Sequence, residues 1–319
     1  MKNNNIKVSV CVVTYNQESY IEKTILSILE QDCDFEYEIL VGDDCSTDRT
    51  REVLLRIRDK YPDKISLYFR PNNIGAAKNI IDLYKRAKGI YISHLDGDDL
   101  MHSDKLMEQV VILDNNQDVV FCTHNVDLID EMGNRVGNSF RVWPNGRHDL
   151  DSLLSQLPFF AHSSKVFRNM YEKSEYDLLN VENLIDIEIH FFQSQFGSIY
   201  HIDRVLGSYR VFTGVSSNSN HVNPLLPNAT RRIFKQVLDR EVCDRKIKKY
   251  KEYYAKAILA YSYQSALKGD GEMASKYAKE SYLICRYTKH QYFFYILSFF
   301  PSLLVFSSKL IFRIKKAIS

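Results

Sequence analysis

Val8 to Val13 is a β-branched run, apolar at every position but Ser9, that ends at Thr14-Tyr15-Asn16. Such a run predicts a strand buried on both faces, followed by a loop. Ile21, Ile25, Ile28 and Leu29 then recur at helical spacing. The same alternation continues: a strand at Glu38 to Val41 ending in Gly42-Asp43-Asp44, then a helix marked by Val53, Leu54, Ile57 and Tyr61. A strand at Ile65 to Phe69, a helix carrying Ile80, Ile81 and Tyr84, and a strand at Ile90 to Leu95 complete the series. Strands separated by helices imply βαβ units, hence an α/β fold with a mostly parallel, doubly wound sheet. Ligands of such sheets sit beyond the carboxyl ends of the strands. Three strands end there in polar or acidic loops: Thr14-Tyr15-Asn16, Asp43-Asp44 and Asp96-Gly97-Asp98-Asp99.

Residues 105–116 predict a further helix and Val119 to Thr123 a further buried strand. Asn, Gly and Pro punctuate residues 127–150, which suggests hairpins or irregular structure, and a helix follows near Ser152 to Leu157. Helical period returns over 178–196, with Ile185, Ile189 and Phe192 on one face and Glu182 and Asp186 together on another. After Ser216-Ser217-Asn218-Ser219-Asn220 the composition shifts to long Lys- and Tyr-rich helices over 228–286, broken into a hairpin by Gly269-Asp270-Gly271. Residues 291–308 carry no charge, are interrupted by Pro301, and are followed by Lys309, Arg313, Lys315 and Lys316. An aromatic stretch beside a basic one reads as an anchor on an anionic membrane surface. A helix packed on the protein's own core and a spanning segment are the alternatives.

Charge sharpens this division. Residues 1–227 hold 23 Lys and Arg against 33 Asp and Glu, while residues 228–319 hold 19 against 7. The first part suits a cation and the second an anionic partner. An apolar content of 45% in 319 residues excludes a disordered chain. Six cysteines without a C-x-x-C pair suggest neither a zinc site nor a disulfide framework, and the amino-terminal residues form no apolar signal region. The expectation is a cytoplasmic protein, peripheral to the inner face of the cell membrane.

Asp96-Gly97-Asp98-Asp99 is the sharpest chemical feature. Three carboxylates in four residues repel one another unless a cation sits among them, which points to Mn²⁺ or Mg²⁺; a turn and helix cap is the alternative. A second acidic pair, Asp43-Asp44, offers hydrogen-bond acceptors to a base or a ribose.

Val8-Ser9-Val10 through Thr14-Tyr15-Asn16, Glu38 through Asp48, Asn73-Ile74-Gly75, Asn79 and Leu95 through Asp99 resemble the ordered motifs of glycosyltransferase family 2. The match is close over residues 6–125 and looser to about 217. The resemblance implies a GT-A fold with a C-terminal helical extension and an inverting transfer from a nucleotide-diphospho-sugar, usually UDP-linked. Residues 1–125 would form the nucleotide-sugar half, 126–222 the acceptor half, 223–290 a helical region and 291–319 the membrane-associating tail. By motif, Thr14, Tyr15, Asp44 and Lys78 would line the nucleoside pocket, with Asp43 supporting Asp44. Asp96 would bind the nucleotide sugar, and Asp98 or Asp99 would reach the metal. Asp186 falls where the family places its catalytic base, with Glu182 as competitor. Tyr209-Arg210-Val211-Phe212 resembles the Tyr-Arg-x-His segment, so Arg210 would meet diphosphate, while Phe212 stands where a metal-assisting His often does.

The expected acceptor is a glycan or a lipid-linked glycan, as in bacterial surface-polysaccharide assembly, and no nucleic-acid motif occurs. A sugar nucleotidyltransferase is one alternative, although its Gly-rich phosphate loop is missing after the first strand. A non-catalytic, membrane-associated binding protein is the other.

Overall fold

A computed structural model describes residues 6–137, 143–169, 184–211 and 221–318. Two compact units divide the chain, one of residues 1–151 and 158–213 and one of residues 152–157 and 214–319. In the first, strands β1 (Val8–Thr14), β2 (Tyr37–Asp43), β3 (Ile65–Phe69) and β4 (Tyr91–Asp96) alternate with helices α1 (Ile21–Leu29), α2 (Thr50–Lys60) and α3 (Ala76–Arg86). Next come β5 (Leu100–Met101), α4 (Lys105–Asn115), β6 (Val119–Ile129), β7 (Arg135–Gly137), β8 (Gly146–His148) and α5 (Leu150–Gln156). A 3-10 turn at His162–Ser164, β9 (Val166–Arg168), α6 (Asp186–Gln193) and β10 (Ser198–Arg210) follow.

The sheet runs β3-β2-β1-β4-β9-β6-β10-β5, with β7 on β6 and β8 on β10. The first four strands are parallel, as the alternating sequence predicts. Val8, Val10 and Val12 of β1 meet Ile21, Ile25 and Ile28 of α1 in one core with Ile39, Val41 and Leu95. Each such buried side chain contributes about 1.5–3 kcal/mol. β9 is antiparallel to both β4 and β6, and β5 is antiparallel to β10, so the sheet is mixed beyond β4. The pattern of residues 198–210 predicts no strand, because register shifts near Ile202, Val205 and Ser208 break its apolar alternation at Asp203-Arg204. Bulges of this kind erase a period-two signal while leaving the pairing intact.

The second unit is helical: α7 (Leu225–Arg240), α8 (Asp244–Leu267), α9 (Gly271–Ile284), α10 (Lys289–Leu297) and α11 (Pro301–Ile318). Asp270 caps α9 by accepting from the Met273 N–H at 3.0 Å, and Gly269 turns the chain with φ +88°. The uncharged run 291–308 is two helices. Pro301 starts the second, where a missing N–H costs no hydrogen bond. Phe294, Leu297 and Leu304 from these helices pack with Ala266, Ala274 and Ala278. Among the described residues, no helix is long and apolar enough to cross a membrane.

Gly89, just before β4, lies where a Cβ would fall 2.5 Å from the Ser9 nitrogen and 2.7 Å from the Tyr91 oxygen. Gly89→Ala is therefore expected to cost about 1–3 kcal/mol, read from the urea midpoint. An unchanged midpoint would contradict that close approach.

Candidate active site

The register of β1 sets the site. Thr14 lies opposite Asp43 of β2, and Val13 lies opposite Asp96 of β4, so the polar ends of three adjacent strands stand side by side. The Asp44 N–H donates to the Thr14 carbonyl at 3.0 Å and the Gly97 N–H to the Val13 carbonyl at 2.9 Å. Gly97 is required here: a Cβ would come 2.9 Å from Thr14 Cβ and 2.4 Å from Gln17 Oε1.

The acidic turn after β4 is held from three sides. The Thr24 hydroxyl of α1 lies 2.9 Å from the carbonyl oxygens of both Gly97 and Asp99, sharing its proton between them. The Ser163 hydroxyl lies 2.5 Å from Asp99 Oδ2 and 3.3 Å from Asp96 Oδ2, and its oxygen accepts the Asp96 N–H at 3.1 Å. The Arg210 N–H donates to Asp99 Oδ1 at 2.8 Å. Asp99 is buried, and burial together with Asp98 and Asp96 pushes its carboxyl well above the ordinary carboxylate range. Both of its oxygens are committed to protein donors. Asp99 thereby anchors the turn, and Asp98, the other residue expected to reach the metal, is half-buried beside it.

Arg210 has a structural part in this turn. Its guanidinium is buried over the Tyr20 ring and donates to the carbonyls of Asp98, Asp130 and Glu131. These bonds brace the acidic turn against the 130–131 loop. Phe212, like Glu182, lies outside the described residues.

At the second strand end, Asp44 accepts from the backbone N–H groups of Ile74 (2.7 Å) and Gly75 (2.9 Å) and so pins the 72–75 loop. Gly75 takes φ +86° at this turn. Asp43 is buried and paired with Arg51 Nε at 2.5 Å, which holds the start of the 43–48 loop. Thr14 is buried and donates to Gln17 Oε1 at 2.7 Å, whereas Tyr15 is 45% exposed beside it. Lys78 is exposed in the first turn of α3, next to Asn79, whose amide donates to the Gly42 carbonyl at 2.7 Å.

Asp186 opens α6 and accepts the Ile187 N–H at 2.9 Å. Its carboxyl is partly open to solvent but enclosed by protein, and desolvation, reinforced by the charge of Asp96, raises its pKa. Beneath it runs a buried network that the sequence pattern does not reveal. Lys165 Nζ donates to Gln193 Oε1 at 2.8 Å and to His190 Nδ1 at 3.0 Å, and burial pulls this lysine down to about 7 while Asp186 opposes that shift. The sequence marks it only as a lysine between Ser164 and Val166.

His94, Asp96 and His162 are the one group of three ligand-type side chains, among the described residues, with donor atoms within 4.8 Å of one another. The two imidazole rings stack face to face, 3.7 Å apart at 10°, and both His94 ring nitrogens are engaged by protein groups. His94 Nε2 faces Asp96 Oδ1 at 3.2 Å and its Nδ1 faces the Tyr84 hydroxyl at 3.0 Å. A carboxylate only accepts, so Nε2 carries the proton and Nδ1 accepts from Tyr84. Burial pushes His162 and His190 well below the usual histidine range, which keeps both neutral. Trp143 stacks on Phe159 at 4.7 Å and donates to His148 at 2.9 Å, and so belongs to an internal aromatic cluster.

The family model for glycosyl transferase family 2 matches residues 9–174, the span that carries β1 to β9 and the acidic turn. The chain belongs to this family. A Mycobacterium tuberculosis protein of unassigned function is 30% identical over 206 residues, covering 63% of this chain. The chain matches 58% of that relative's length. The Staphylococcus aureus poly(ribitol-phosphate) beta-N-acetylglucosaminyltransferase TarS is 34% identical over 189 residues, 59% of this chain and 32% of TarS. The TarS 1–349 structure in complex with UDP-GlcNAc superposes with a TM-score of 0.64 at 19% identity, covering 88% of this chain and 82% of that one. A Pyrobaculum calidifontis mannosyltransferase in complex with GDP-Man and Mn²⁺ gives a TM-score of 0.58 at 15% identity over 95% of this chain and 86% of that one. The GT-A fold with C-terminal helices, expected from the sequence motifs, is therefore the fold observed.

The buried Asp99 yields a signed expectation. Its pKa is higher in the folded state than in the unfolded chain, so stability is lost as pH rises from the ordinary carboxylate value through the raised one. In chelator, Asp99→Asn should melt above the parent at pH near 8 and lose that advantage near pH 4. A lower melting temperature for the variant at the higher pH would contradict the assignment.

Proposed function

We propose that the chain moves a sugar from a nucleotide-diphospho-sugar, UDP-linked, to a hydroxyl of a glycan or lipid-linked acceptor, inverting the anomeric centre, with Asp186 as general base. The observation that carries this reading is a desolvated carboxylate, Asp186, opening a helix close enough to the acidic turn for the charge of Asp96 to raise its pKa. TarS with UDP-GlcNAc and the mannosyltransferase with GDP-Man and Mn²⁺ support the donor class and the ion.

Thr14, Tyr15 and the Asp44-pinned loop would receive the nucleoside, with Lys78 at the rim. The oxygen donors of Asp96 and Asp98, crowded enough to raise Asp99, suit a hard divalent cation, Mn²⁺ or Mg²⁺. Bound there, such an ion supplies neutralisation of the departing diphosphate. Asp186 takes the acceptor proton as the acceptor oxygen bonds to the anomeric carbon and the bond to the diphosphate oxygen breaks. Desolvation makes Asp186 a stronger base than a surface carboxylate, and Lys165 beneath it limits how far its pKa rises. His94 holds Asp96 in place.

Release of nucleoside diphosphate from UDP-, dTDP- and GDP-sugars with Mn²⁺ or Mg²⁺ tests the reading. One UDP-sugar should turn over, with Asp186→Asn slower by about 10²–10⁴. The acid limb of the parent's rate should lie above the ordinary carboxylate value of about 3.9, because the base form is lost as pH falls through a raised pKa. Silence with every donor, or full activity in Asp186→Asn, would overturn it.

A further inference from the structure

The last two helices are apolar on both faces. Inward, Phe294, Leu297 and Leu304 fill the helical core. Outward, ten large apolar side chains between Tyr292 and Ile314 are exposed, Phe306 at 65% and Phe300 at 61% among them. A concentration of this kind on one short segment marks an interaction surface. Along α11, Leu303, Phe306, Leu310 and Ile314 recur at intervals of three and four and form one stripe. Lys309 and Arg313, both exposed, flank that stripe on one side.

The charge of the segment selects the occupant. Residues 281–319 hold six Lys and Arg and no Asp or Glu. A second copy of the chain would bring the same positive charge against this face and be repelled. An anionic headgroup layer complements it, and the acyl boundary beneath accepts the aromatic and leucine side chains. No described helix is long and apolar enough to cross a membrane, so the helices would lie in the plane of the interface.

We infer that α10 and α11 form a docking surface for an anionic lipid bilayer, with the Leu303-Phe306-Leu310-Ile314 stripe inserted at the acyl boundary and Lys309 and Arg313 among the headgroups. The placement is independent of the donor and of the catalytic base.

Sedimentation of the full chain with vesicles of phosphatidylcholine alone, or with added phosphatidylglycerol, tests this. The chain should pellet with the anionic vesicles and be released by high salt as charge screening shortens. Two double variants, Phe306→Ser with Leu310→Ser and Lys309→Glu with Arg313→Glu, should each lower partitioning about tenfold or more. All four side chains are exposed, so the far-UV spectrum should be unchanged. Absence of pelleting with either vesicle, or pelleting that both double variants leave intact, would overturn the inference. So would a solution oligomer that dissociates in the Phe306→Ser, Leu310→Ser variant without any vesicle binding.

Discussion

Three carboxylates within four residues repel one another, and the architecture around β4 is arranged to hold one of them, Asp99, in the interior. Ser163 from the 3-10 turn and the Arg210 backbone from the end of β10 take its two carboxylate oxygens, while Thr24 of α1 donates to its backbone carbonyl and to that of Gly97. Elements distant in sequence therefore meet at one charge. The raised pKa of Asp99 records the electrostatic strain that this burial leaves.

The two acidic clusters consequently do different work. Asp43 and Asp44 are neutralised locally, by Arg51 and by two backbone N–H groups, and their product is a fixed loop. In the Asp96-Asp98-Asp99 group, Arg210 reaches Asp99 through its backbone N–H and Asp98 through a carbonyl. The negative field of this group raises Asp99 and, through Asp96, extends to Asp186. Asp186 sits within that field, with a lysine near 7 below it, a combination in which each group restrains the other's shift.

Much of this was legible in the residues themselves. The Val-rich run at Val8 and the largely apolar stretch from Ile90 to Leu95 mark buried strands, and the polar and acidic loops at their ends mark where the candidate site residues gather. What escaped was of two kinds. β10 is interrupted by bulges, so neither alternation nor a continuous run marks it. The roles of Asp99, Arg210, Lys165 and His190 depend on which side chains a fold brings together across 25 to 111 residues, from the Lys165 bond to His190 to the Arg210 bond to Asp99, and spacing carries no trace of that. The uncharged run 291–308 breaks at Pro301, as its sequence predicts, into two helices whose inner faces pack on the protein's own helical core.

The central claim is the division of labour within the acidic turn, Asp98 facing the ion and Asp99 holding the turn. Titration calorimetry of UDP with Mn²⁺ addresses it directly. Asp98→Asn should abolish the metal-dependent part of UDP binding, whereas Asp99→Asn, which keeps an acceptor for the Arg210 N–H, should retain it. Metal-dependent binding that survives in Asp98→Asn and vanishes in Asp99→Asn would contradict the account.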